Sequence, residues 1–193
     1  MNIDPSSIAL AHLGLETAKT MLSTYSNFKK RNAIHLLELL SKCDADFSNV
    51  KSRDDFHKYV FRIIEEASSE VENEKIIAWK NAIVSLAVNF DENTLKEEFI
   101  KILSNLSVFD LLTLRYIYTN EFDTNSLCED TVSYFELTGI DSECTWLSIR
   151  KLANNFLIDG RGNVILFDGL SPSERIYNKN KIGELFLKFV SEI

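Results

Sequence analysis

Apolar side chains recur every three or four positions along most of the first hundred residues, the spacing that lines one face of an α-helix. Phe56, Tyr59, Val60, Ile63, Ile64 and Ala67 form the clearest stripe, preceded by Asp54 and Asp55, whose carboxylates suit a helix start. A second stripe on Ile76, Trp79, Ile83, Leu86 and Ala87 predicts a helix over residues 71–88. A third, on Leu95, Phe99, Ile102, Leu103 and Leu106, predicts one that Asp91 caps. Upstream, Asp4 followed by Pro5 predicts a helix from Pro5 to Ser23. Phe28, Ala33, Leu36, Leu37 and Leu40 then carry another toward Cys43, before a loop over 44–52.

The rhythm shortens after Leu106. Ser107 opens a helix on Leu111, Leu112, Leu114, Ile117 and Tyr118, and shorter helices follow over 126–137, ending at Gly139, and over 141–154. Leu157-Ile158 and Val164 to Phe167 are β-favouring runs, and Asp159 to Asn163 between them tolerates the backbone of a tight turn, which predicts a β-hairpin. Two strands alone are marginal in water, so this hairpin must pack on the helices beside it. A loop at Ser171-Pro172-Ser173 and a closing helix on Ile182, Leu185, Phe186, Phe189 and Val190 complete the pattern.

The order helix, short helix, helix, hairpin, helix resembles a winged-helix module. Ile149, Leu152, Leu157 and Ile158 are similar to the passage from the second helix of a helix-turn-helix into the first wing strand. Gly183 and Phe186 are similar to a glycine-x-x-phenylalanine ending common in prokaryotic winged helices, with Asn178 to Asn180 departing from the usual threonine. The predicted architecture is therefore mainly α: a helical bundle over residues 1–106 followed by a winged-helix-like module with one β-hairpin over 107–193. Residues 72–83 and 103–112 also resemble uncharacterised bacterial proteins, some of them associated with prophage or defence loci.

Composition agrees with a packed helical globule: 193 residues, 45% hydrophobic, with only two prolines and six glycines. A net charge of −8 opposes non-specific binding to polyanions. Cys43, Cys128 and Cys144 form no CxxC pair and are expected as buried free thiols rather than a disulfide framework or zinc site. The amino terminus lacks the basic segment of a signal peptide, and the apolar stretch from Ile8 to Leu15 is too short to span a bilayer. The cytoplasm is the expected location, with no membrane partner.

Four residues form the candidate nucleic-acid site. If Trp146, Ile149, Leu152 and Ala153 face the core, then Glu143, Leu147, Ser148, Arg150, Lys151, Asn154 and Asn155 face outward. Arg150 and Lys151 suit phosphates, Asn154 suits an adenine edge, and Arg161 sits at the wing tip. Asp141, Glu143 and Asp159 counter these cations, and an exposed Leu147 favours protein docking instead.

Catalytic patterns are sparse. Arg31 to His35 and Arg53 to His57 each place a cation and an imidazole one helical turn apart, a pairing that suits metal-free RNA cleavage. Their spacing resembles the arginine and histidine motif of the HEPN ribonucleases, one residue shorter. Asp54 and His57 have metal-ligand spacing, but a di-metal bundle needs a second such motif. Glu65, Glu66, Glu70, Glu72 and Glu74 are expected as a solvated run, His12 as a packed or boundary histidine, and Trp79 and Trp146 as core. No phosphate-binding loop, nucleophile elbow or zinc-protease motif occurs. The expected function is thus a non-catalytic interaction or regulatory protein that docks on another protein or on itself, without a cofactor. A winged-helix DNA-binding regulator is the alternative, and a metal-independent ribonuclease or toxin a second one.

Overall fold

A computed structural model describes residues 5–15, 22–88, 95–122, 126–161 and 176–191. Among the described residues the fold is mainly α with one antiparallel pair of strands. Helices α1 (Pro5–Leu13), α2 (Asn27–Ser41), α3 (Asp54–Ser68), α4 (Lys75–Val88) and α5 (Lys96–Asn105) precede α6 (Val108–Thr119), α7 (Leu127–Leu137) and α8 (Ser142–Asn154). Strands β1 (Ile158–Arg161) and β2 (Ile176–Lys179) and helix α9 (Lys181–Val190) follow. No described helix is long and apolar enough to cross a membrane. The chain divides into two compact units, one of residues 1–105 with 188–193 and one of residues 106–187.

In the first unit α2 packs against α1, α3 and α4, and α3 also meets α5. The stripes read from the sequence supply the core: Leu36, Leu37, Phe56, Ile63, Trp79, Ile83 and Leu103 are all fully buried. Residues beyond Lys188 complete this core. The Phe189 ring lies 5.5 Å from that of Phe99, and the buried Asn81 amide donates to the Val190 carbonyl at 3.0 Å.

A charge pair crosses the interior. Lys75 Nζ lies 2.8 Å from Glu70 Oε2, with both side chains largely removed from water, and also donates to the Ser104 carbonyl. The Trp79 indole N–H donates to the same carboxylate, and Asn32 donates to the Glu70 carbonyl at 2.6 Å. Burial pushes the Glu70 carboxyl up, but the Lys75 hydrogen bond and charge outweigh it and hold the group below its ordinary 4.5. Glu70 is therefore not part of a solvated run. The turn it occupies brings its side chain over Trp79, and the helix expected from Val71 begins instead at Lys75.

Three further expectations are corrected. The first helix stops at Leu13, because Gly14 adopts a left-handed backbone (φ +72°) and the Leu15 N–H returns to the Leu10 carbonyl. The hairpin does not turn at Asp159 to Arg161, and Gly162 and Asn163 lie outside the described residues. Asp159 and Gly160 belong to β1, paired with Asn178 and Tyr177 of β2. The Ile176-Tyr177 dipeptide supplies the β-favouring partner, while Val164 to Phe167 lies outside the described residues. Of the three thiols only Cys128 is buried; Cys43 is half-buried and Cys144 exposed.

In the second unit α8 packs against both α6 and α7, and β2 lies against α7. Ser107 and Asp110 form a reciprocal capping box at the start of α6. Asn180 caps α9, its side-chain oxygen accepting from Gly183 N–H at 2.8 Å. Gly183 is required by crowding: a Cβ there would overlap the Leu157 carbonyl oxygen and the Tyr118 hydroxyl.

Replacing Gly183 with alanine improves helix propensity but forces α9 off this contact, so a net loss of about 2–3 kcal/mol is expected in urea denaturation. Lys75→Met strands the Glu70 carboxylate and is expected to cost about 3 kcal/mol near neutral pH. Because Glu70 is held low when folded, its pairing contributes fully above its ordinary 4.5 and is lost as pH falls through the lowered value. The difference between wild type and Lys75→Met should therefore shrink on acidification; a gap constant across that range would refute the pairing.

Candidate functional site

The sequence places its candidate residues on α8 and β1, and the packing of α8 decides which of them reach solvent. Thr145, Ser148, Ile149 and Leu152 are buried, while Trp146 and Ala153 are half-buried. The helix is therefore rotated from the expected orientation, and Ser148 belongs to the interior. The solvent stripe consists of Glu143, Leu147, Arg150 and Asn154, a spacing of one helical face.

Arg150 and Asn154 thus share an exposed face with an acidic and an apolar residue. Lys151 is turned aside: its ammonium lies 2.7 Å from Asp110 Oδ2, a carboxylate only 5% exposed. Burial raises the Asp110 carboxyl, yet the Lys151 hydrogen bond and the Ser107 backbone N–H more than offset this and hold it below its ordinary 3.8. Asp110 binds α6 to α8 through that pair while capping its own helix. Arg161 lies in β1 opposite Ile176. The Asp141 carboxylate accepts the Glu143 N–H at 2.7 Å and caps α8.

Beyond the helix the chain makes an unusual turn. Phe156 N–H returns to the Ala153 carbonyl and Leu157 N–H to the Leu152 carbonyl, the bond pair of a Schellman motif. The residue at its left-handed position is Phe156, with φ +58° and a side chain 72% exposed. The same motif closes α1 at Gly14 and α7 at Gly139, where glycine meets the backbone requirement. Asn180 Nδ2 secures the exception, donating to the Phe156 carbonyl at 3.0 Å and to Asp159 at 2.9 Å. Leu147 at 61% and Leu137 at 88% are further exposed apolar side chains of this unit, with Leu112 and Tyr134 less open.

Phe156 escapes a reading by periodicity because it looks like the apolar start of a strand. The local signal is a helix ending with no glycine at the position that needs one. In the first unit, Arg53 pairs with Asp55 at 3.0 Å, and the His57 Nε2 is buried without a hydrogen-bond partner among the described residues. His12 packs edge-on against Phe47 with Nε2 3.2 Å from the Ala45 carbonyl, a boundary position. Arg31 and His35 share the wall of an open groove. No known protein family, curated protein or solved structure matches this chain.

A phenylalanine held left-handed costs about 1–2 kcal/mol that glycine does not. Phe156→Gly is accordingly expected to raise the urea midpoint, by about 1 kcal/mol in stability after its own entropy cost. A lowered midpoint would mean that the ring packs within the fold.

Proposed function

We propose that the chain is a non-catalytic interaction or regulatory protein whose winged-helix-like second unit docks on another protein or on a second copy of itself. The observation that carries this reading is Phe156: a large apolar ring displayed to solvent on a backbone that penalises it. Two glycine-closed helices show the alternative that the same chain uses where no side chain is needed. Leu147, in the middle of the exposed stripe of α8, adds apolar surface of the same kind.

A DNA-binding regulator is the second reading, supported by the exposure of Arg150 and Asn154. Engagement of Lys151 by Asp110 reduces the charge left for phosphates, and Glu143 shares the stripe.

A photo-crosslinking phenylalanine analogue at position 156 tests docking directly, with the exposed Glu129 of α7 as the control position. Irradiating cells that make the protein should give a discrete adduct from position 156 and none from 129; self-docking should reproduce it with purified protein. No adduct at 156 in either setting would overturn the proposal, and salt-sensitive binding of duplex DNA by anisotropy would favour the second reading.

A further inference from the structure

Helix α2 is amphipathic with a cationic outer face. Asn27, Lys30, Arg31, Ile34, His35 and Glu38 fall at the spacing of one helical stripe, opposite the buried Ala33, Leu36, Leu37 and Leu40. This stripe walls an open groove of about 670 Å³, which Asn73, from the connection between α3 and α4, also lines. That volume falls within the roughly 300–1,000 Å³ of small-molecule sites.

Charge within the groove runs against the rest of the molecule. The chain carries −8 overall, yet Lys30 and Arg31 stand together here and form no ion pair with a described carboxylate, with His35 one turn further on. The Arg31 guanidinium lies over the Phe28 ring, 5.4 Å from its centre, which restricts how that cation is presented. Glu38 stands at the far end of the same wall, separated from the cations by Ile34. The wall therefore offers, in order, cations and an amide, an apolar step, and a carboxylate acceptor.

We propose that this groove binds a small phosphate-bearing molecule of nucleotide size, its phosphates on Lys30 and Arg31 and its body along Ile34 and His35 toward Glu38. Arg31 supplies the planar fork that suits a phosphate, Lys30 a mobile point charge, and Asn27 and Asn73 neutral hydrogen bonds. The surface belongs to the first unit, so it stands or falls independently of docking by the second.

Calorimetric titration of the full chain at low salt with inorganic phosphate, pyrophosphate, ATP and adenosine tests it. Saturable binding of pyrophosphate or ATP, weakened by added salt, is expected, with adenosine silent. The double variant Lys30→Gln/Arg31→Gln should weaken binding by about a hundredfold, two charge-assisted contacts at about tenfold each. Lys58→Gln, an exposed cation elsewhere on this unit, should leave it unchanged; circular dichroism checks that each variant is folded. Equal binding of pyrophosphate and ATP would identify the phosphates as the recognised group, and tighter ATP binding would add the Ile34 and Glu38 end. No saturable binding of any phosphate, binding of adenosine alone, or equal losses in the groove and Lys58 variants would overturn the assignment.

Discussion

The second unit depends on one close approach, the passage of helix α9 over the Leu157 carbonyl at Gly183. Only a residue without a side chain lets the helix backbone descend far enough for the Tyr118 hydroxyl to receive the Asn180 N–H and to reach the carbonyls of Leu157 and Asn180. Burial raises the Tyr118 phenol above its ordinary 10.0, which keeps it a hydrogen-bond donor at any physiological pH. Asn180 in turn holds both the end of α8 and the start of β1. The left-handed turn at Phe156 is thus fixed from several directions, the condition under which backbone strain persists in a folded protein.

Polar groups have two different roles in the two units. In the first, Lys75, Glu70, Trp79 and Asn32 satisfy one another in the interior, so their charges are spent on positioning the loop between α3 and α4. In the second, Asp110 is shared between a helix cap and an interhelical pair with Lys151. At the surface stand the Lys30 and Arg31 cations beside the groove of α2, and apolar side chains such as Leu147 and Phe156 on α8 and its turn. Buried pairs of this kind add little net stability but penalise any packing that separates them.

Helices were legible because their signal is periodic and redundant. Phe56, Ile63 and Ile64, or Leu36, Leu37 and Leu40, each report the same face, and all are buried. Single-residue decisions were less legible. Gly14 ends α1 where the apolar pattern continues, and β2 rests on a dipeptide, Ile176-Tyr177, flanked by polar residues. Glu70 and Lys151 look like surface charges in any window of sequence; only the fold brings Lys75 and Asp110 to them. Ser148 illustrates the limit of helical projection, since a rotation of α8 by one position exchanges a buried hydroxyl for a half-buried tryptophan. Phe156 was hidden for the opposite reason, because its residue type is ordinary and its backbone conformation is not.

The bonds from Asn81 to Val190 and between the rings of Phe99 and Phe189 also set an order of events during synthesis. Domains emerging from the ribosome commonly fold in turn, the first before the second. Here residues 188–191 close the core of the first unit, and they are translated only after all of the second. Phe99 and the Asn81 amide therefore lack these partners until more than eighty intervening residues have been made. Completion of the first core is thereby tied to completion of the second unit's sequence, and a chain interrupted before Lys188 leaves the earlier unit unfinished.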